Sequence, residues 1–151
     1  MGTAMDPALA ELLVNRGLRR TSPRMAILRI LEQAATHLSV AELRSRAHEE
    51  QPTINMSTVY RNVSTMRECG VLHSVDHAGE TLFGLVMPPH HHLVCERCGV
   101  LVEIPVERLD SFVAQLATRC GFDLNPTGQV LHGRCRRCQT GRRPPTPSAV
   151  R

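Results

Sequence analysis

The chain has very few aromatic side chains: three Phe, one Tyr and no Trp among 151 residues. It has no lysine either, and all 18 of its cationic residues are arginine, which coding bias explains as readily as function. No apolar run approaches the ~18 residues that a bilayer span requires. The N-terminal Met1-Gly2-Thr3-Ala4-Met5 has neither the basic start nor the apolar stretch of a secretory signal. A membrane partner is therefore not expected, and the cytoplasm is the natural setting. A core built from Leu, Val, Ile and Ala without large rings is thin, so a metal staple would help each half fold. What is present is ordinary for a soluble globular protein, with 42% apolar and 21% charged residues. The length suits one domain or two small ones.

The net charge of +4 hides an uneven distribution. Residues 1–86 carry nine Arg and nine acids, and residues 139–151 carry three Arg and no acid. Arg16, Arg19, Arg20, Arg24 and Arg29 fall within fourteen residues with no acid among them. Such a face suits a polyanion, or is simply a solvated helix surface.

Four of the six cysteines form two C-x-x-C pairs, Cys95-Glu96-Arg97-Cys98 and Cys135-Arg136-Arg137-Cys138. In a chain without a secretory signal these are metal ligands before they are disulfides. Zinc takes a closed tetrahedron of thiolates, and C-x-x-C lets one tight turn supply two of them. The neighbouring Arg97, Arg134, Arg136 and Arg137 would favour the thiolate forms. A redox-switching C-x-x-C is the competing reading. Cys69 and Cys120 read as small buried hydrophobes.

The fold class expected is α+β. Residues 1–84 read as helices followed by a hairpin, which describes a winged helix-turn-helix. Residues 85–89 read as a stiff hinge, residues 90–138 as a small metal-binding α/β unit that could pair with a second copy (a dimerisation domain on the resemblance given below), and residues 139–151 as a flexible tail. In the first part, Ala8, Leu9, Leu12 and Leu13 form an apolar stripe ended by Gly17. Thr21 or Ser22 caps a second helix, with Pro23 in its first turn and Met25, Ile27, Leu28 and Leu31 inward. Ser39-Val40-Ala41-Glu42 is a capping box that opens a third. Asn55 or Ser57 starts a fourth, ending near Glu68 before Gly70. Val71–Val75 and Thr81–Phe83 read as paired strands. With Val59, Val63 and Met66 inward, the fourth helix turns Ser57, Thr58, Tyr60, Arg61 and Asn62 outward at its start, where a recognition helix meets base edges. Arg grips guanine or phosphate, and a Tyr ring lies against a thymine methyl.

In the second part, Leu93-Val94, Val100–Ile104 and Gln129–Leu131 are strand-like. Val106 to about Cys120 reads as one helix with Leu109, Phe112, Val113 and Leu116 on a single face. A strand edge or this helix could pair with a second copy. His90-His91-His92 is a further signal: on a strand His90 and His92 share one face and His91 takes the other. His37, His73, His77, His132, Glu103 and Asp110 are further candidate ligands.

Taken together, these pieces resemble the ferric uptake regulator family over roughly residues 8–138. The resemblance rests on Gly17-Leu18-Arg19-Arg20-Thr21-Ser22-Pro23-Arg24, His37-Leu38-Ser39, Ser57-Thr58-Val59-Tyr60-Arg61-Asn62-Val63, His90-His91-His92-Leu93-Val94-Cys95-Glu96-Arg97-Cys98-Gly99 and Gly133-Arg134-Cys135. It implies a homodimeric, metal-responsive repressor that binds double-stranded operator DNA and is not an enzyme. It also implies structural zinc at Cys95, Cys98, Cys135 and Cys138, and DNA contacts from Arg19, Arg24, Asn55, Ser57, Thr58, Tyr60 and Arg61. A regulatory divalent metal (zinc, iron or nickel) is implied at the hinge, on His37, His90 and His92. The acid that completes that set in the family falls on Gly84, so His73 or Glu103 is expected to replace it. Losing a carboxylate and keeping imidazoles shifts preference toward borderline metals. A second family site falls on Pro89, His91, Asp110 and Thr127, of which only His91 and Asp110 can ligate, with His132 near in sequence. Two alternatives remain open: a peroxide- or redox-sensing repressor of the same fold, and a metal-storage or metallochaperone protein that binds no DNA.

Overall fold

The computed structural model describes residues 7–141. The chain divides into two units, one ending at Val86 and the other beginning at Met87.

In the first unit, α1 (Pro7–Asn15) buries Leu9, Ala10 and Leu13. Next comes α2 (Ser22–Ala34), with Thr21 as its N-cap and Pro23 in its first turn, where the missing N–H costs nothing. This helix buries Ala26 and Ile30 besides the four residues expected, because its neighbours cover it on more than one side. A left-handed Ala35 ends it. The chain then enters β1 (Leu38–Ser39), a two-residue strand that has no periodicity to betray it. Ser39 serves twice. It pairs with the sheet, and its Oγ accepts from the Glu42 N–H while its own N–H donates to Glu42 Oε2 at 2.8 Å, the capping box that opens α3 (Val40–Glu50). Asn55 Oδ1 accepts from the Thr58 N–H at 2.8 Å and so caps α4 (Met56–Glu68). Strands β2 (Leu72–His77) and β3 (Glu80–Leu85) are joined at Ala78 and Gly79, both with positive φ, the two-residue turn whose twist matches that of the strands. The sheet order is β1-β3-β2, all antiparallel. Eighteen buried apolar residues, among them Leu13, Ile27, Leu28, Leu43, Val59, Met66 and Phe83, form one cluster between the helices and this sheet.

In the second unit, β4 (His90–Cys95) is the central strand, antiparallel to β5 (Leu101–Pro105) and parallel to β6 (Val130–Gly133). The single helix expected from Val106 is interrupted. One 3-10 turn covers Val106–Arg108, Leu109 leaves the helical region at φ −123°, and α5 runs over Asp110–Cys120. The apolar face expected on it contributes no buried residue, and Phe112 is 55% exposed. Cys120 is exposed and Cys69 half-buried, which corrects their reading as core hydrophobes. A short helix, α6 (Arg136–Gln139), stands where the tail was expected to begin. The rest of that expected tail, residues 142–151, lies outside the described residues. Among the described residues, no helix is long and apolar enough to cross a membrane.

Candidate metal centres and nucleic-acid face

The sulfurs of Cys95, Cys98, Cys135 and Cys138 all lie within 4.8 Å of one another. Cys95 ends β4, Cys98 lies in the turn before β5, and Cys135 and Cys138 follow β6. The parallel pairing of β4 with β6 is therefore what brings the two C-x-x-C turns together. The Cys98 and Cys135 sulfurs are 3.7 Å apart. A zinc tetrahedron with bonds of about 2.3 Å has edges of about 3.8 Å, so the donor set fits that ion. Backbone N–H groups, that of Cys135 foremost and then that of Cys98, draw the Cys95 thiol down to about 6. Burial, then the Cys135 and Cys98 sulfurs, push Cys138 up to about 12. The Arg97 guanidinium donates to the Cys138 carbonyl at 3.0 Å, tying the two turns together through backbone.

A second cluster belongs to the first unit. Leu38 pairs with Phe83, so His37, one residue earlier, continues that register onto Gly84. His73 pairs with Gly84 from the other side. The three residues thus form a row across β1, β3 and β2, with no side chain in the middle. Over that gap the two imidazoles meet, Nε2 to Nε2 at 2.6 Å, with the rings edge to face. His37 is buried and His73 half-buried.

The second unit carries its own pair. His90 and His92 share one face of β4 with ring centroids 4.9 Å apart, as strand alternation predicts. His90 Nδ1 lies 2.7 Å from the Pro88 carbonyl, to which it donates, leaving Nε2 with the lone pair that a metal needs. Glu103 pairs with His92 in the register and places a carboxylate oxygen 4.0 Å from His90 Nε2.

The expected second site on His91, Asp110 and His132 does not assemble. His132 pairs with Val94, which puts it on the face of His90 and His92, whereas His91 takes the opposite face. His91 Nδ1 accepts from the Gln129 N–H at 3.2 Å, so its proton sits on Nε2, and the ring is fully buried. His91 thereby anchors the entry to β6. Asp110 is exposed at the start of α5. Among the described residues, none of these three joins a group of three or more converging metal-binding side chains.

On α4, Val59, Val63 and Met66 point into the core and Tyr60 is 62% exposed. Met56, Ser57, Tyr60, Arg61 and Ser64 line a shallow open groove along this outer face. Thr58 and Asn55 are partly committed to the cap, and Asn62 Nδ2 donates to the Thr58 carbonyl at 2.8 Å. Arg24 Nη1 donates to the Arg19 carbonyl at 2.9 Å, so Arg24 steadies the loop on which the exposed Arg19 stands. Arg29 leaves the basic cluster, since it pairs with Glu50 at 3.6 Å.

Comparison with known proteins now bears on these clusters. Residues 15–138 match the model of the Ferric uptake regulator family. The ferric uptake regulation protein of Bordetella parapertussis is 34% identical over 133 residues, covering 86% of this chain and 96% of that protein. The peroxide-responsive repressor PerR of Staphylococcus saprophyticus is 30% identical over 129 residues, covering 84% of this chain and 86% of that protein. A zinc uptake regulator solved in complex with zinc and DNA has a TM-score of 0.62 and 25% identity, covering 93% of this chain and 98% of that one. The winged helix, the four-cysteine cluster and the two histidine pairs agree with these matches, and the chain belongs to the Ferric uptake regulator family.

Proposed function

We propose that this protein is a metal-dependent, dimeric, DNA-binding transcriptional repressor of metal homeostasis genes, working in the cytoplasm. The observation that carries the reading is a pair of histidines in each unit: His37 with His73 in the helical unit, and His90 with His92 at the start of the other. One divalent ion held by both pairs would tie the two units together across a link of only a few residues. Zinc is the first expectation, since imidazole suits borderline metals, with nickel and iron next. Glu103 is the reserve ligand, four ångströms from His90. A second, structural zinc on Cys95, Cys98, Cys135 and Cys138 holds the strands of the other unit.

Repression follows from geometry. Fixing the angle between units in both halves of a dimer sets the spacing of two α4 helices, which must match two half-sites one helical turn or a multiple apart. Metal binding and operator binding then reinforce each other by the same factor. Tyr60 and Arg61 read bases, with Ser57 and Thr58 beside them, and Arg19 contacts the backbone or minor groove. The second copy docks on the second unit, where Val102, Leu93 and Leu131 form a half-exposed apolar row across β5, β4 and β6 and α5 presents Phe112 and Leu116.

The test is operator binding by the full chain with and without added metal. His90→Ala should lower metal-dependent affinity while keeping the four-cysteine zinc and the dimer. If His37→Ala and His90→Ala both bind operator with the wild-type metal response, the hinge site is wrong. Likeness to a peroxide-responsive repressor supports a second reading. In that case iron-loaded protein treated with peroxide would gain oxygen on His37 or His90 by mass spectrometry and lose DNA affinity. Retention of metal without any operator binding would instead point to storage.

A further inference from the structure

We infer that Gly84 is the specificity-determining residue of the regulatory site: its missing side chain lets two imidazoles converge from outer strands and makes this half of the site all-nitrogen. The inference rests on the reading of His37 as a regulatory ligand, and it adds a residue that is not itself a ligand.

Start from sheet geometry. Neighbouring strands lie about 4.8 Å apart, so the Cα atoms of two residues on the outer strands of a three-strand row are separated by about 9.6 Å. Two histidines can bridge that distance only by leaning inward over the middle residue. Here the middle residue is Gly84, with His37 continuing the β1 register on one side and His73 paired on the other. A Cβ built on Gly84 would run into the His37 ring, under 3 Å from Nε2, Cδ2 and Cε1 alike. The residue in the way is a buried ring, not the free end of a flexible chain. Nor is the glycine kept for its backbone, since Gly84 is not among the residues with positive φ. What it supplies is room.

That room decides chemistry. Any side chain at position 84 would force the His37 ring to shift from its present place, and a carboxylate there would bring its own oxygen to the place where the imidazoles meet. Glycine and a carboxylate are therefore exclusive alternatives. Glycine gives a bis-imidazole chelate, and a carboxylate gives a mixed nitrogen and oxygen set. Two nitrogens on one tetrahedral zinc, with bonds of about 2.05 Å, stand about 3.3 Å apart. The His37–His73 pair at 2.6 Å would open by less than 1 Å to admit the ion. Imidazoles favour zinc, copper, nickel and iron, whereas oxygen favours manganese and magnesium. The device thus biases the site against manganese.

The experiment uses the full chain with its cysteine zinc in place. The affinity for a second metal per chain is measured by chelator competition for zinc and for manganese, with the cobalt visible spectrum as a report on coordination. Gly84→Ala should lower second-zinc affinity 10–100-fold, the range seen when support for a ligand is lost. It should keep the first zinc and the helix content. In a His37→Ala background, Gly84→Ala should change nothing further, because the ring it collides with is gone. That double variant also controls for a fold damaged by the collision. Gly84→Glu should move the zinc-to-manganese preference at least tenfold toward manganese and shift the cobalt spectrum from four-coordinate toward higher coordination. If His37→Ala loses the second metal while Gly84→Ala binds it as wild type does, the role of Gly84 is overturned and the hinge reading stands. If Gly84→Ala costs as much in the His37→Ala background as alone, the effect does not run through the ring and the inference falls. If His37→Ala itself leaves second-metal affinity unchanged, both fall together.

Discussion

The helical unit and the metal-rich unit hold together by different means. The first packs eighteen buried apolar residues into one cluster. The second, among its described residues, buries Val94, two of its clustered cysteines, Cys95 and Cys138, and the imidazoles of His91 and His92, and leaves Leu93, Val102, Phe112, Leu116, Phe122 and Leu131 exposed. A sheet of three short strands beside a helix with no fully buried residue makes a thin apolar core. On the proposed function, a metal and a second copy would supply what the second unit lacks in core.

The largest test of this contrast is zinc removal. Structural zinc contributes on the order of 10–16 kcal/mol in small metal-dependent domains. Chelation, or Cys98→Ser, is expected to release one zinc per chain, disorder the second unit and abolish the dimer, while α1–α4 keep their helicity. Zinc content, circular dichroism and size-exclusion chromatography read this out. A zinc-free second unit that stays folded and dimeric would break the comparison. pH sharpens the same test. Cys95, drawn down to about 6 by backbone N–H groups, is already a thiolate at neutral pH, whereas Cys138, pushed up to about 12 by burial, must lose a proton to bind. Zinc affinity should therefore rise with pH, about tenfold per unit for each proton displaced, and steepen below about 6 where Cys95 also carries one.

Core truncations come next. Leu28→Ala in the first unit should cost about 2–5 kcal/mol in denaturation, with zinc content and dimer unchanged. Leu93→Ala and Val102→Ala should do the reverse, weakening the dimer and making the second unit's melting concentration-dependent. Equal losses of single-chain stability from both sets would contradict the division of labour.

Smaller effects fall on the DNA face. Arg61→Ala and Tyr60→Ala should each cost about 1–3 kcal/mol of specific operator binding and relax sequence preference. Arg19→Ala should weaken all sequences alike and flatten the salt dependence. Unchanged operator selectivity in both α4 variants would remove this helix as the reader. Smallest of all, Ser39→Ala should cost about 0.5–2 kcal/mol through loss of the capping box, confined to the first unit and measured by thermal melting.

Local signals were legible where the physics is local. The capping box at Ser39, the Asn55 cap, Pro23 in its first turn and the inward set Val59, Val63 and Met66 depend on neighbours three or four residues away, and each is found as expected. The facing of His90 and His92 follows from strand alternation alone. Strand β1 was invisible because two residues carry no period and Ser39 already spends its side chain on a helix cap. The grouping of His91 with His132 failed for a related reason: the sense in which β6 pairs with β4 decides which residues share a face, and no spacing encodes it.

By itself, the sequence determined the two C-x-x-C turns, the histidine triplet, the order of helices and hairpin and the outward face of α4, because periodicity, capping and ligand chemistry act over a few residues. Only the tertiary structure decided what those pieces do together. It joined the cysteine turns by aligning β4 with β6, left α5 without a core of its own, and turned His91 from candidate ligand to strand anchor. Above all it lined up His37, Gly84 and His73 from three strands, so that a position which in the chain reads as a missing acid becomes in the fold the space where two imidazoles meet. Register between distant segments is set by the packing of whole surfaces, and no short stretch of residues carries that information.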